Sequence, residues 1–437
     1  MDKLVYLINC PPGWTKTAPL GLEYIKQYLA KHGIKTKIID FNILTHNLLA
    51  LTKNSWLSLN RHMEENIFSL IQKKYPDTIK NLVNEIDNAS LVGISVFKRN
   101  RSFSFSLGGI IKDKYPETPV VFGGPETLFM KLRRENFLSR FNWVIGEGEK
   151  GLKQMIACNK RGLIEHEELD DLDQIPFLEF DGTDLNSYSQ FIPLLSSRGC
   201  IKKCRFCTEH LLYKKFRQHS PQYIADQIEY LGKKYNRRDF SFQDSLINAR
   251  LDWLHRFCSL IIKRNLKISW DAQVIIRNDF PLEMAKLLKK SGCFNLFVGL
   301  ESASDNVLEN MDKKITSQEA ITFFTNLKTA GLHFEVSLIF GYPGESDNDF
   351  NTTVRFIIEN KNIIPKIAQV NPFVDYFAKE ENVAAEAIKR VDKFIAIINK
   401  EKIPFTKSFI NNLTYSFKKP GLMPEISLNT FKSARQP

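Results

Sequence analysis

Several features are missing from this sequence of 437 residues, and each absence excludes a class of protein. No apolar run reaches the roughly 20 residues that a membrane-spanning helix needs. The first residues lack the long apolar stretch and the small-residue cleavage site of a secretory signal, so we expect a cytoplasmic protein without a membrane partner. Seven cysteines, an odd number in so long a chain, do not suggest a disulfide scaffold.

The composition is that of a globular protein with more than one domain. Hydrophobic residues make up 43% of the chain and charged residues 25%, and 437 residues are too many for one ordinary core. The net charge of +12 fits an acidic partner, such as a phosphorylated small molecule or a nucleic acid, or merely solvated lysines. Because the basic residues are scattered, without an arginine-rich arm, we do not expect nucleic acid as the partner.

Short apolar strands alternate with helices over residues 1–155 and predict a Rossmann-like parallel sheet with helices on both faces. A helical insertion is predicted at about 44–88, and an acidic linker at 156–190. The predicted strands are Leu4–Asn9, Thr36–Asp40, Leu91–Val96, Pro119–Phe122 and Asn142–Ile145. Ligands of such sheets bind at the carboxyl ends of the strands.

A second α/β series predicts a partial (β/α)6 barrel over 191–375, followed by a short α-rich extension at 376–437 with a helix near 385–399. The predicted strands are Ile192–Ser197, Asp239–Gln243, Ile268–Gln273, Phe294–Leu300, Phe334–Phe340 and Ile367–Asn371. Parallel barrels carry their chemistry at the carboxyl ends of the strands.

Three cysteines crowd together after the first barrel strand, in the spacing C-x-x-x-C-x-x-C: Cys200, Cys204 and Cys207. Three thiolates on one loop can take three corners of an iron–sulfur cube and leave one iron open for catalysis. The flanking positive charges, which favour thiolates, belong to Arg198, Lys202, Lys203 and Arg205.

A structural zinc site is the alternative for these cysteines, and it needs a fourth ligand from elsewhere in the chain. No second C-x-x-C and no histidine pair with zinc spacing is present in the sequence. The contexts of Cys158, Cys258 and Cys293 are typical of core residues. The iron–sulfur interpretation is therefore favoured.

The cysteine segment resembles the hallmark of the radical S-adenosylmethionine (radical SAM) superfamily, C-x-x-x-C-x-aromatic-C, with Phe206 as the aromatic residue. Further landmarks follow in the family's order, at Phe242–Asp244, Ser269–Gln273, Gly299–Ser302 and Ser337–Glu345. The resemblance implies a [4Fe–4S] cluster that reductively cleaves S-adenosylmethionine to a 5′-deoxyadenosyl radical. It also implies S-adenosylmethionine contacts by Phe206, Gln243, Asp244, Arg277, Glu301, Ser302, Ser337 and Ile339.

The N-terminal domain resembles the cobalamin-binding domain of one branch of this superfamily. The resemblance lies in Pro11-Pro12, in the segment before the first helix, and in the ends of the third, fourth and fifth strands. It implies cobalamin contacts by Pro11, Pro12, Leu20, Gly21, Ser95, Val96, Gly123, Gly124, Glu126, Gly146, Glu147 and Gly148. The D-x-H-x-x-G motif that supplies a histidine to cobalt is absent. A scaffold that binds nothing is the alternative for this domain.

The combined resemblance implies a cobalamin-dependent radical methyltransferase (class B) that uses methylcobalamin to methylate an unactivated carbon of a natural-product substrate. A rearrangement, cyclisation or ring contraction is the alternative outcome. We expect a small-molecule or peptide substrate, an electron donor such as flavodoxin or ferredoxin, and a monomer. Asp375 and Tyr376, after the last barrel strand, are candidate substrate contacts.

Overall fold

The computed structural model describes residues 4–49, 56, 61–165, 168–375 and 384–406. Two six-stranded parallel sheets dominate this part of the chain. All strands of the first sheet precede those of the second in the sequence. The predicted α/β class, with a doubly wound sheet followed by a partial barrel, is confirmed. No helix in the described ranges is long and apolar enough to span a membrane.

The first sheet has the order β2-β1-β3-β4-β5-β6, and every pair is parallel. Its strands are β1 (Leu4–Asn9), β2 (Lys35–Asp40), β3 (Ala89–Ser95), β4 (Val120–Gly123), β5 (Asn142–Ile145) and β6 (Leu163–Glu165). Its helices are Leu20–Lys31, Phe41–Leu49, Arg61–Lys74, Pro76–Glu85, Arg101–Lys114, Pro125–Leu132 and Gly148–Ala157. Alternate residues of β1 enter separate cores, Val5 and Leu7 on one face and Tyr6 and Ile8 on the other, as a sheet covered on both faces requires.

The segment predicted as a linker contributes to both domains. Its strand β6 pairs with β5 and extends the first sheet to Glu165. Only Ile164 of this strand is buried, so the sequence carries almost no strand signal there. Further on, the Gln174 and Glu179 carbonyls accept hydrogen bonds from Lys31 and Gln27 of the first domain, while Ile175 is fully buried in the core of the second.

The second sheet has the order β14-β13-β12-β11-β10-β7, again with every pair parallel. Its strands are β7 (Ile192–Leu194), β10 (Asp239–Phe242), β11 (Ser269–Val274), β12 (Cys293–Glu301), β13 (His333–Phe340) and β14 (Ile367–Pro372), and a two-residue antiparallel ribbon joins β8 (Ser197–Arg198) to β9 (Arg217–Gln218). Its helices are Glu209–Leu212, Pro221–Tyr235, Leu251–Lys263, Leu282–Lys290, Asp305–Asn310, Ser317–Thr329, Asp347–Glu359 and Ala385–Lys400.

The last described helix, Ala385–Lys400, packs against the end of β13. The ring centroids of Phe394 and Phe340 lie 4.9 Å apart, and Arg390 pairs with Glu345 at 2.7 Å. The helix predicted in the C-terminal extension therefore forms part of the second domain's core. The rest of the extension after residue 406, and Tyr376, lie outside the described residues.

Candidate active site

A cavity of about 860 Å³ lies between the two domains, and both sheets contribute to it. From the first sheet, residues at the carboxyl ends of β1, β3, β4 and β5 line it, among them Asn9, Ser95 and Gly123. From the second domain come the strand that leads into the cysteine loop and the end of β10, with Ser197 and Gln243. The cavity thus joins the two edges at which parallel sheets bind ligands.

Most of the predicted cobalamin contacts line this cavity: Pro12, Leu20, Gly21, Ser95, Gly123, Gly124, Gly146, Glu147 and Gly148. Two of these glycines leave open space. A Cβ at Gly21 would meet nothing within 4 Å, and one at Gly123 would only touch Val144 at 3.9 Å. Their small size is therefore not required by the protein's own packing, and it lets a large flat ligand approach the backbone.

Three helices begin at the cavity without a side-chain cap. They start at Leu20, Pro125 and Gly148, and none has a hydrogen bond from an N-cap side chain to its first turn. The first N–H groups of a helix have no partner within the helix. At the helices that start at Leu20 and Gly148, these donors and the positive dipole ends suit the amide and phosphate oxygens of a cofactor.

Three predicted cobalamin contacts do not line the cavity. Pro11 and Val96 are buried behind it, and the Val96 carbonyl accepts a hydrogen bond from the Glu126 N–H at 3.1 Å. The Glu126 carboxylate is 1% exposed and pairs with Arg101 at 3.2 Å and Arg133 at 2.5 Å. The charge of Glu126 is thus neutralised inside the first domain, and its cofactor contact stays a prediction.

The cysteine loop begins directly after β8. Cys204 is buried, while Cys200 and Cys207 are half-buried. The Lys202 backbone N–H donates to Cys200 Sγ at 3.4 Å, and burial raises the pKa of the Cys207 thiol to about 11. In the part of the chain that the structure describes, no group of three acidic, histidine or cysteine side chains is gathered around a single metal ion. A cubane fits the loop better, because each cysteine there binds a different iron.

Part of the positive charge beside the cysteines comes from the predicted Lys202, and part comes from a residue that sequence reasoning missed. Burial raises the pKa of the Cys200 and Cys204 thiols, and Lys313 acts against that shift. The Lys313 ammonium lies 3.2 Å from Glu301 and 5.4 Å from the ring centroid of Phe206. Lys313 stands in a loop without a pattern that distinguishes it from the many surface lysines.

Two of the predicted S-adenosylmethionine contacts meet beside this lysine. The Ser337 hydroxyl donates to Glu301 at 3.2 Å, and Glu301 adopts a left-handed φ of 68°. A Cβ at Gly299 would lie 2.5 Å from Glu301 Oε1, so a larger residue there would displace this carboxylate. Ile339 is half-buried and points to the same side of β13 as Ser337. Gln243 is exposed at the cavity.

Three other predicted S-adenosylmethionine contacts have their polar groups bound by protein partners, and their ligand contacts stay predictions. Asp244 is fully buried and accepts hydrogen bonds from the Ser196 N–H, the Ser196 hydroxyl and the Ser197 hydroxyl at 3.0, 2.7 and 2.5 Å. Burial raises its pKa to about 6. Asp244 therefore fixes the strand that leads to the cysteines.

Ser302 and Arg277 also serve the fold. The buried Ser302 hydroxyl shares a hydrogen bond with Thr353 at 3.0 Å. The Arg277 guanidinium is held by Asp279 at 2.6 Å and donates to the Asn248 and Ala249 carbonyls. Two further interpretations need correction, since Cys158 is exposed and Asp375, although exposed, does not line the cavity.

Arg198 differs most from its sequence interpretation. Its guanidinium does not serve the cysteines but pairs with Glu147 at 2.9 Å and Glu149 at 2.6 Å in the first domain. Arg217, opposite it in the ribbon, also binds Glu147, at 2.8 Å. Burial alone would raise the pKa of Glu147, but the two arginines outweigh it and hold that pKa at about 2. Glu147 therefore lines the cavity with its charge already engaged.

The class of the second domain follows from its sequence as well as its fold. Residues 194–357 match the family model of the Radical SAM superfamily, and this range contains the cysteine loop, β10 to β13 and the Glu301 cluster. The chain therefore contains a radical SAM domain, and the predicted radical SAM enzyme is confirmed.

Curated relatives match far beyond this domain. An uncharacterized methyltransferase of Pyrococcus horikoshii is 26% identical over 367 residues, which are 78% of this chain and 73% of the relative. The bacteriochlorophyllide d C-12(1)-methyltransferase of Chlorobaculum tepidum is 31% identical over 43% of this chain and 41% of its own length. The anaerobic magnesium-protoporphyrin IX monomethyl ester cyclase of Rubrivivax gelatinosus is 21% identical over 79% of this chain and 62% of the cyclase.

Solved structures show that both domains together form a known fold. The cobalamin-dependent S-adenosylmethionine radical enzyme OxsB, with aqua-cobalamin and S-adenosylmethionine bound, matches 92% of this chain with a TM-score of 0.66 and 17% identity. The radical methyltransferase TsrM of Kitasatospora setae, with cobalamin and a [4Fe–4S] cluster bound, matches 86% with a TM-score of 0.63 and 17% identity. The match spans 56% of the OxsB chain and 76% of the TsrM chain.

Proposed function

We propose that this protein is a cobalamin-dependent radical SAM methyltransferase that methylates an unactivated carbon of a biosynthetic substrate. The observation that carries the proposal is the shared cavity, which is lined by the ligand-binding edges of both sheets. A cofactor bound to the first sheet would lie directly opposite the strand that carries the cysteine loop. Methyl transfer to a carbon radical needs such a face-to-face arrangement of a methyl carrier and a radical source.

The residues of the first domain fit cobalamin. Open space beside Gly21 and Gly123 accepts a wide ring, and the uncapped helix starts at Leu20 and Gly148 offer N–H donors to its polar substituents. Ser95 lines the same cavity and can donate its hydroxyl. The lining also includes the exposed aromatic side chains of Trp14 and Phe97, which suit an apolar ring face.

The residues of the second domain fit a [4Fe–4S] cluster and S-adenosylmethionine. Cys200, Cys204 and Cys207 would hold three irons, and Lys313 offsets part of the cluster's negative charge. When bound, the cluster supplies the electron that cleaves S-adenosylmethionine to a radical, and cobalamin supplies the methyl carrier. Glu301, positioned by Ser337, presents a carboxylate beside the cysteine loop for the polar groups of S-adenosylmethionine.

The partners follow from the same chemistry. Reductive cleavage needs an external one-electron donor, and we propose a low-potential carrier such as flavodoxin or ferredoxin. The substrate is a small molecule or peptide that enters the cavity between the domains.

A second outcome stays open because of a particular relative. The Rubrivivax gelatinosus cyclase aligns with 79% of this chain, as much as the methyltransferase of Pyrococcus horikoshii does. The same two domains therefore also fit a cyclisation, rearrangement or ring contraction without methyl transfer.

Products of S-adenosylmethionine distinguish the two outcomes. The protein is reconstituted anaerobically with iron, sulfide and cobalamin, reduced, and given S-adenosylmethionine. Methyl transfer to cobalamin releases S-adenosylhomocysteine, and radical formation releases 5′-deoxyadenosine, so we expect both products. Formation of 5′-deoxyadenosine alone would contradict the methyltransferase proposal and favour the second outcome.

A further inference from the structure

A buried cluster of four charged side chains connects the cavity to the cysteine loop. We propose that Glu147, Glu149, Arg198 and Arg217, together called the charge bridge, couple occupancy of the cobalamin cavity to the geometry of the cysteine loop. The inference rests on the proposed function, because it needs both cofactors. It adds a positioning role for residues that need not touch either cofactor.

The contacts of the charge bridge cross the domain boundary. Arg198 donates to one oxygen each of Glu147 and Glu149, at 2.9 and 2.6 Å. Arg217 holds both oxygens of Glu147, at 2.8 and 3.0 Å. The two arginine side chains are only 7% and 5% exposed, so a displacement that separated the partners would leave uncompensated charge away from water. The glutamates and arginines therefore move together or not at all.

On the first-domain side, the bridge is built into the wall of the cavity. Glu147 and Glu149 flank Gly148 at the start of the helix Gly148–Ala157, and all three residues line the cavity. A Cβ at Gly148 would lie 2.6 Å from Ile25 Cδ1, so this loop is packed tightly on the helix Leu20–Lys31. A ligand that pushes on this wall must shift the two carboxylates.

On the second-domain side, one residue separates the bridge from a cluster ligand. Gly199, between Arg198 and Cys200, has a left-handed φ of 83°, and a Cβ there would lie 2.7 Å from the Lys215 carbonyl oxygen. The Gly199 backbone thus lies close against Lys215, and only this residue separates Arg198 from Cys200. Movement of the guanidinium is therefore passed on to Cys200.

Tyr24 gives the same coupling a second support. It lies on the helix that lines the cavity, and the Arg198 guanidinium stands 5.4 Å from its ring centroid. Its hydroxyl donates to the Leu195 carbonyl at 3.1 Å, at the end of β7. The rigid planar fork of arginine suits such a position, because it fixes distance and direction together.

A purely structural bridge would hold the domains together without transmitting anything. The two roles differ in one observable, the response of the cluster to cobalamin. We therefore measure the EPR spectrum of the reduced cluster in the full-length reconstituted protein, with and without cobalamin in its EPR-silent Co(I) form. Coupling predicts a change of g values on cobalamin binding that depends on the bridge.

Glu149→Gln is the main variant, because it keeps the shape of the side chain and removes one charge. Glu126→Gln is the matched control, since Glu126 is also a buried carboxylate at a helix start and pairs with two arginines, but inside one domain. We expect the cobalamin-dependent shift in the wild type and in Glu126→Gln, and its loss in Glu149→Gln in samples in which iron and cobalamin analysis shows that both cofactors are bound. If Glu149→Gln does not fold, Arg198→Lys decides, and we expect it to weaken the shift.

Three results would overturn the inference. The first is a change of g values in Glu149→Gln, or in Arg198→Lys where Glu149→Gln does not fold, that is as large as in the wild type. The second is an equal loss of this change in Glu126→Gln. The third is a wild-type spectrum that does not change when cobalamin binds. In each case cobalamin still binds, so the proposed function survives. If the wild type binds no cobalamin, the proposed function fails together with the coupling.

Discussion

The two sheet edges that meet at the cavity are built in opposite ways. The edge of the first sheet is open, with Gly21 and Gly123 unfilled and three helix starts uncapped. In the second domain, Ser220, Thr316 and Ser346 cap three of the eight described helices, and Asp244 accepts hydrogen bonds from the strand before the cysteine loop. The edge of the first sheet leaves space and hydrogen-bond donors for a ligand. Polar groups at the edge of the second sheet instead hold the cysteine loop in place.

We expect the largest effect from a substitution that disrupts the site only at the edge of the second sheet. Cys204→Ala removes a cluster ligand, so iron should fall from about four atoms per chain to nearly none, and 5′-deoxyadenosine formation should stop. Cobalamin binding should persist, because the first edge is unchanged. Cys258→Ala is the control, since Cys258 is a fully buried core residue outside the loop. Equal iron content in the two variants would remove the cluster assignment.

A comparable substitution breaks the first edge alone. Gly21→Leu fills open space in the cavity and should weaken cobalamin binding by about tenfold or more, some 1.4 kcal/mol, with iron unchanged. Gly109→Leu is the matched control, because Gly109 also lies on a helix with nothing within 4 Å of a Cβ but does not line the cavity. Equilibrium titration followed by absorbance measures both affinities. Equal affinities would show that cobalamin does not occupy this cavity.

The free energy of unfolding tests the buried ion pairs that connect the two sheet edges. Arg198→Ala leaves two buried glutamates short of a partner and should lower the free energy of unfolding by about 3–5 kcal/mol. Arg140→Ala breaks an exposed pair with Asp113 and should cost below about 1 kcal/mol. Urea unfolding of both variants gives the comparison. A cost for Arg198→Ala as small as that for Arg140→Ala would contradict the account of the bridge.

The carboxylates on the two sides of the cavity should respond to pH in opposite directions. The pKa of Glu147 lies at about 2 against an ordinary 4.5, so its stabilisation is present above pH 4.5 and disappears as the pH falls towards 2. The pKa of Asp244 is raised to about 6, so its contribution is complete below about pH 3.8 and is lost as the pH rises through 6.

Thermal unfolding of the wild type and Glu147→Gln at several pH values checks this sign. The difference in melting temperature should be largest near neutral pH and should narrow as the pH falls from 4.5 towards 2. A difference that does not change with pH would show that the arginines do not hold Glu147 ionised.

The smallest effect concerns helix capping in the second domain. Thr316→Ala removes the capping-box hydrogen bond that the Thr316 hydroxyl accepts from the Glu319 N–H, and it should cost about 1 kcal/mol of stability. Iron and cobalamin contents should not change, because this helix start lies away from the cavity lining. Loss of either cofactor in this variant would mean that the second domain's caps support the site directly.

Local patterns in the sequence were enough for most of the fold. Strands β1 and β5 begin and end where apolar periodicity and glycines predict. The failures fall where a local pattern is short or ambiguous. β6 has one buried residue, and the acidic segment after it packs between the domains through backbone carbonyls that no side-chain pattern reveals.

The candidate site was only partly predictable, for a physical reason. A motif indicates which residues lie near a ligand, but it does not show which of their side chains are already paired with other protein groups. Asp244, Glu126 and Arg277 stand in motif segments, yet each is held by protein partners far away in sequence. Lys313 shows the opposite case. No motif marks it in the sequence, and the fold brings it beside Glu301 in the site.

The central claim is that one chain holds two cofactors at one cavity, and counting them tests it most directly. Iron and cobalamin are quantified in the same preparation after anaerobic reconstitution and removal of unbound cofactor. The account predicts one [4Fe–4S] cluster and one cobalamin per chain. A full cluster without stoichiometric cobalamin would contradict it.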